Sequence, residues 1–258
     1  MATAGQMRLT VLGKSPSWQD AGGACSGYLV EAAGVALLLD CGHGVLAELR
    51  RRREPGRVDA VVLSHMHPDH VFDLVPYAYA LTVAPRASAR TGPRLLLPPG
   101  GAAIVHSIEQ VFSVEGLLDE AFSLEQYDPA QAMTIGPLEV SFQAVSHYVP
   151  AWAIAVEGGG RRLVFGADTG PSEYLIAFAR GADLLMLEAT LQDPAPAAQG
   201  RGHLTAREAG EHARAAGARR LLLTHFSDEL DSLATRRDGA AGLGRQVELA
   251  RAGAVYVV

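Results

Sequence analysis

The stretch Ser64-His65-Met66-His67-Pro68-Asp69-His70 constrains this chain more than any other. Three imidazoles and a carboxylate fall between positions 65 and 70, directly after the apolar run Ala60-Val61-Val62-Leu63 and directly before an apolar, helix-like segment over 71–81. An apolar strand over 58–63 is of the kind buried on both faces, so the polar cluster is delivered at its C-terminal end rather than along it. Pro68 suits the first position of the helix that follows. Four potential donors at one strand end are a place to hold metal.

Other polar residues stand where an apolar strand stops. His147 follows the run 140–146, Asp168 follows 163–167, Glu188 follows 184–187 and His225 follows 221–224. Asp and His often begin loops for hydrogen-bonding reasons, so any one of these is weak; the repetition is the argument, because strand ends facing the same way converge on one site. The candidate ligands are His65, His67, Asp69, His70, His147, Asp168 and His225. They exceed the four or so that one tetrahedral ion takes, and two metals sharing Asp168 is the economical reading. Imidazole and carboxylate without thiolate suits zinc, and also manganese or iron. A metal pair about 3.5–4 Å apart suits phosphodiester hydrolysis by a metal-activated hydroxide.

The rest of the chain is ordinary globular protein, 48% hydrophobic and 19% charged. The net charge of −6 disfavours duplex nucleic acid or tRNA as the main partner. Cys25 and Cys41 are too few for a thiolate zinc site or a secreted disulfide framework, which fits a reducing cytoplasm. Neither a signal-peptide core nor an apolar run of about 18 residues is found, so a cytoplasmic protein without a membrane partner is expected.

Strands are expected over 8–12, 28–31, 35–39, 58–63, 95–97, 122–127, 138–145, 151–157, 161–165, 183–187, 220–223 and 254–258, with a short one near Met133. Helices are expected over 45–53, 71–81, 102–112, 172–180, 206–216 and 236–251, and a polar loop over 84–93. Without a linker or a repeat, residues 1–258 read as one domain of two sheets with outer helices. Arg50 to Arg53 read as a solvated helix end rather than a phosphate patch, and His106 as a packed or solvated helical residue. In the loop over 13–27, Ser15, Trp18, Gln19 and Asp20 are positioned to rim a pocket. Trp18, Tyr148 and Trp152 could each stack on a nucleobase or simply pack on the sheets.

The pattern His-x-His-x-Asp-His after a buried strand, with a later His, Asp and His at strand ends, resembles the metallo-β-lactamase superfamily. That resemblance implies an α+β fold, an αββα sandwich of two mixed sheets packed face to face with helices outside. It also implies that His65, His67 and His147 hold one metal, that Asp69, His70 and His225 hold the other, and that Asp168 bridges them. Asp69 would additionally orient the attacking water. Leu187-Glu188-Ala189-Thr190, Gly202-His203-Leu204-Thr205 and Leu223-Thr224-His225-Phe226-Ser227 look like motifs of the ribonuclease Z branch. By that resemblance His203 assists at the phosphate and Glu188 orients its ring, which is sound chemistry for a leaving alkoxide that needs a proton. Thr205 and Glu208 read as a capping box.

Members of that branch that process tRNA carry a long arm between the positions matching His147 and Asp168. Here only residues 148–167 intervene, room for a hairpin. The expectation is therefore a dinuclear metal-dependent phosphodiesterase for small, cyclic-nucleotide-like phosphodiesters. The alternatives are a tRNA 3′-processing endoribonuclease and another ester or lactone hydrolase of this fold. Arm-less relatives that the chain resembles include cyclic nucleotide phosphodiesterases and the ribosyl cyclic phosphate phosphodiesterase of phosphonate breakdown, whose Cys-rich zinc site is missing here. The relatives also imply a homodimer.

Overall fold

The computed structural model describes residues 6–84, 92–192 and 200–258; most of the polar loop expected over 84–93 lies outside them. Strands β1 (Arg8–Gly13), β2 (Gly27–Ala32), β3 (Val35–Leu39), β4 (Ala60–Val62), β5 (Arg94–Leu97) and β6 (Ser123–Gln126) form one sheet in chain order. The second sheet is again in chain order: β7 (Met133–Ile135), β8 (Leu138–Val145), β9 (Ala151–Gly158), β10 (Arg161–Phe165), β11 (Leu184–Glu188), β12 (Leu221–Thr224) and β13 (Glu248–Leu249). The last strand, β14 (Val255–Val257), returns to pair with β1 at the edge of the first sheet.

Both sheets change from antiparallel to parallel pairing part-way across, at β3 in the first and β10 in the second. Parallel neighbours need crossovers, and the helices supply them. Helix α1 (Val45–Arg50) joins β3 to β4, α2 (Pro68–Val71) and α3 (Leu74–Thr82) join β4 to β5, and α4 (Gly101–Phe112) and α5 (Leu117–Ala121) join β5 to β6. In the second half α6 (Glu173–Phe178), α7 (Ala206–Ala215) and α8 (Ser232–Leu243) link β10 through β13.

Alternation along the strands sorts the apolar residues into three layers. Leu37, Leu39, Ala60 and Val62 of the first sheet meet Ile154, Phe165, Leu184 and Met186 of the second in a central core. Their neighbours Leu38, Val61 and Leu63 face the other way and pack under α1, α3 and α4. Leu185, Leu187 and Leu223 likewise pack under α6, α7 and α8. The fold is thus the expected αββα sandwich. No described helix is long and apolar enough to cross a membrane.

Three helix boundaries differ from expectation. The helix expected over 71–81 is two pieces, because Asp73 turns to accept the Leu46 N–H at 2.7 Å, and the second piece starts at Leu74. The helix expected over 45–53 stops at Arg50. Beyond it, Arg52 bonds Glu48 at 2.8 Å and Arg53 bonds Glu31 at 2.7 Å, so much of the arginine run is engaged in ion pairs. The helix expected over 236–251 runs instead from Ser232 to Leu243. Asp231 caps its start by accepting the Leu233 N–H, Gly244 closes it in the left-handed conformation, and the chain then forms β13 inside the expected helical span.

Candidate active site

The second sheet explains how residues far apart in sequence come together. Strands β10, β11 and β12 are mutually parallel, and β8 runs the same way because β9 is antiparallel to both β8 and β10. Their C-terminal ends therefore share one edge, where His147, Asp168, Glu188 and His225 stand. On the facing sheet β4 ends just before His65 and His67, and α2 carries Asp69 and His70.

These side chains form two adjoining groups, His65 with His67 and His147, and Asp69 with His70, Asp168 and His225. In the first, His67 Nδ1 lies 3.2 Å from His65 Nε2 and 3.0 Å from His147 Nε2. In the second, His225 Nε2 lies 3.1 Å from Asp69 Oδ2 and 3.3 Å from Asp168 Oδ2. His70 Nε2 stands 3.4 Å from each of the same two oxygens. Asp168 Oδ2 is also 4.0 Å from both His65 Nε2 and His147 Nε2, so it adjoins both groups.

The outer ring nitrogens fix the tautomers, and the tautomers suit metal ions. His147 Nδ1 donates to the Gly202 carbonyl at 2.7 Å, which can only accept, so Nε2 carries the lone pair. Ser64 Oγ gives its proton to Asp40, so His65 Nδ1 donates to it and again turns a bare Nε2 inward. His70 donates through Nδ1 to Asp40 at 2.7 Å, and its buried Nε2 has no hydrogen-bond partner among the described residues. An orphaned buried nitrogen beside two carboxylates is an arrangement that suits a cation bound between them. Inward lone pairs, two carboxylates and no thiolate fit divalent ions such as zinc.

Electrostatics point the same way. Burial pushes His147 down to about 4 and holds His65 well below the ordinary imidazole value, so both rings stay neutral and able to ligate. For Asp69 and Asp168 burial favours the neutral acid, but the facing imidazoles outweigh it and hold both carboxyls well below their usual range.

His203 stands beside these groups, its ring 5.0 Å from that of His147 and 5.9 Å from that of His225. Its Nδ1 donates to Glu188 Oε1 at 2.9 Å. Burial works against a charge on His203, yet the Glu188 carboxylate outweighs it and raises the ring above its ordinary value. Glu188 is itself held in place by the Thr169 N–H at 2.7 Å. The capping box at Thr205 and Glu208 forms as expected and fixes the start of α7 immediately after His203.

Two supporting residues escape a reading of sequence alone. Asp40 binds His70 and, through Ser64, His65; the available signal was its position just past the apolar strand 35–39. Thr190 accepts from His225 Nδ1 at 2.8 Å and donates to Glu188, tying the His225 ring to the Glu188–His203 pair. Asp40, Ala167 and His225 all adopt φ between 50° and 58°, so local strain gathers at the strand ends that build the site.

The aromatic candidates separate. Trp152 is buried in the central core, away from any substrate role. Trp18 is half-exposed and donates to Ser227 at 3.2 Å, and Tyr148 is 63% exposed with its ring 5.6 Å from that of His203. His106 on α4 belongs to a separate group with Glu109 of the same helix and Asp119 of α5, and is half exposed and 3.3 Å from Asp119.

Residues 36–226 match the Beta-lactamase superfamily domain. The chain belongs to that superfamily. Over 97% of its length it is 32% identical to a probable metallo-hydrolase, YhfI of Bacillus subtilis, of which the alignment covers 99%. The crystal structure of YhfI superposes with a TM-score of 0.87 at 29% identity, covering 98% of this chain and 100% of that one. Ribonuclease Z of Myxococcus xanthus is 29% identical over 88% of this chain and 89% of its own. A diphosphatase from the PhnP family shares the fold, with a TM-score of 0.73 at 20% identity over 97% of each chain. Membership of this superfamily, a metallo-hydrolase relative and the His/Asp cluster make the protein a metal-binding hydrolase.

Proposed function

We propose that this superfamily member is a phosphodiesterase with two zinc ions, acting on small phosphodiesters of the cyclic-nucleotide kind. The observation that carries the reading is the Glu188–His203 pair at 2.9 Å beside the two ligand groups. His65, His67 and His147 would hold one ion, Asp69, His70 and His225 the other, with Asp168 between them. Ions held there would supply Lewis-acid activation of water and neutralisation of charge on the phosphoryl oxygens. Asp69, held ionised by the facing imidazoles, accepts a hydrogen bond from the attacking water and orients it. His203, whose ring Glu188 orients and raises above its ordinary value, presents its Nε2 proton to the departing oxygen, which would otherwise leave as an alkoxide. The setting of His203 in a His-Leu-Thr motif, paired with Glu188, counts against another ester or lactone hydrolase of this fold.

A second reading, a tRNA 3′-processing endonuclease, is favoured by the identity to ribonuclease Z. Against it, residues 148–167 form only the β9–β10 hairpin, joined through Gly159 and Gly160, and no arm extends from it. The deciding experiment offers zinc-loaded protein bis(p-nitrophenyl) phosphate, 2′,3′- and 3′,5′-cyclic nucleotides and a precursor tRNA. Turnover of a cyclic nucleotide is expected. Specific tRNA cleavage would replace this reading with the second, and no turnover of any diester by protein of verified metal content would remove both.

A further inference from the structure

The described residues enclose a cavity of about 550 Å³ between the loop over 14–24, the start of α8 and the segment 249–252. None of the seven candidate metal ligands lines it, yet one wall is Phe226, the residue directly after His225. Its volume is in the range of small-molecule sites, and Phe226, Leu249 and Ala250 give it an apolar side.

Three cations line the cavity, and they are not equivalent. Lys14 is buried with its ammonium fully engaged: it donates to Asp20 at 2.8 Å and to the Phe226 carbonyl at 2.8 Å, and pairs with Asp228 at 2.9 Å. Arg236 and Arg251 make no hydrogen bond or ion pair through their guanidinium groups with any described residue. Arginines nearby do find partners: Arg220 bonds Glu248 at 2.8 Å and Arg237 bonds Asp238 at 3.0 Å. Arg236 lies in the second turn of α8, toward the positive end of the helix dipole, where a cation gains nothing from the helix. Arg236 and Arg251 are exposed at the cavity they line, and in a chain of net charge −6 two guanidiniums without an ionic partner among the described residues are free donors of the geometry that grips oxyanions.

We propose that this cavity is a second binding site, separate from the metal centre, for a small organic oxyanion. Arg236 and Arg251 hold the anionic head, a phosphate or a carboxylate, and the organic body lies against Phe226 and Leu249. Through Phe226, whose carbonyl Lys14 holds, an occupant touches the segment that carries His225. The site is a place for an effector rather than for chemistry, since Lys14, Ser15, Asp20 and Asp228 are engaged with one another and no histidine or cysteine lines it.

The test is calorimetric titration of the zinc-loaded protein with phenyl phosphate, benzoate and inorganic phosphate. Heat of binding is the readout, so the result stands whether or not the protein hydrolyses any diester. At least one of the two organic anions is expected to bind, with inorganic phosphate about tenfold weaker for want of an apolar body. The R236Q/R251Q double variant should weaken that binding about tenfold or more, whereas His203→Ala should leave it intact. Should the double variant lose its fold, by melting temperature, the single variants R236Q and R251Q carry the same test with a smaller loss each. Binding unchanged in the arginine variants, binding lost in His203→Ala, or no binding of either organic anion would overturn the proposal. Phenyl phosphate binding without benzoate, or the reverse, identifies the head group the site takes.

Discussion

The Asp40 carboxylate and the His70 ring meet at 2.7 Å, Oδ2 to Nδ1, with both side chains fully buried. The same carboxylate takes the Ser64 backbone N–H at 2.7 Å and the Ser64 hydroxyl at 2.8 Å, and Ser64 in turn bonds His65. One acidic group thus sets the ring orientation of a histidine in each of the two candidate ligand groups. Replacing it by Asn keeps the size but removes the charge and offers an amide N–H₂ where an acceptor is needed. Asp40→Asn is expected to weaken zinc binding by about 10–100-fold, read by competition with a chromophoric chelator. Unchanged affinity would show that the rings are held by packing alone.

His203→Ala is expected to lower kcat on a phosphodiester by about 10²–10⁴-fold while zinc content stays at the wild-type level. Glu188→Gln removes the charge that raises the His203 ring, so the fall in activity on the alkaline side should begin at lower pH than in the wild type. The sign follows from the role: the ring acts while protonated, and a lower imidazole value empties that form earlier as pH rises. A kcat fall accompanied by loss of zinc would instead place His203 among the ligands.

Much of this site was legible because strand ends carry local signatures. His147, Asp168, Glu188 and His225 each follow an apolar run, and parallel pairing does the rest. Asp40 follows such a run too, but its value lies in a partnership across the β3–β4 pair. There Leu39 sits beside Val62, and one step beyond Leu39 and two beyond Val62 bring Asp40 to Ser64. No local pattern encodes that register. The start and end of α8 were obscured for a different reason. The expected span 236–251 begins beyond the Asp231 cap that starts the helix and runs through Gly244, whose left-handed turn ends it. Within α8 a Cβ at Gly242 would fall 2.1 Å from the Arg207 carbonyl, so that glycine is what lets α7 and α8 approach.

Tyr148 and Trp152, four positions apart, are expected to respond in opposite ways. Trp152 packs in the central core edge-on to Tyr127, so Trp152→Ala should cost about 3–5 kcal/mol of stability. Tyr148 lies over Gly202 and beside the His147 and His203 rings with most of its surface in solvent. Tyr148→Ala should leave the melting temperature nearly unchanged. It should raise KM for a cyclic nucleotide by an amount equivalent to about 1–3 kcal/mol, the worth of one base stacked on an aromatic ring. An unaltered KM for every nucleotide tested would remove Tyr148 from the substrate wall.

Asp20 fastens the loop over 13–27 to the segment after His225. Its Oδ2 takes Lys14 and Ser15 at 2.8 Å, and its Oδ1 takes Ser227 at 2.9 Å and the Asp228 N–H at 2.8 Å. Burial alone would raise this carboxyl, but the Lys14 ammonium and the hydrogen bonds prevail and hold it below its ordinary value of 3.8. A depressed folded-state value means that the stabilisation is fully present above 3.8 and is lost as pH falls through the lower folded-state value. Asp20→Asn should therefore cost about 1–3 kcal/mol at neutral pH, where it leaves the Lys14 charge poorly matched. Below pH 3.8 the gap should narrow, because the carboxyl of the unfolded wild-type chain takes a proton first and the folded one follows at its lower value, which removes the same advantage. Paired urea titrations of wild type and variant at pH 7 and at successively lower pH values measure this; a gap that stays constant or widens on acidification would mean that the ionised form is not what holds the loop.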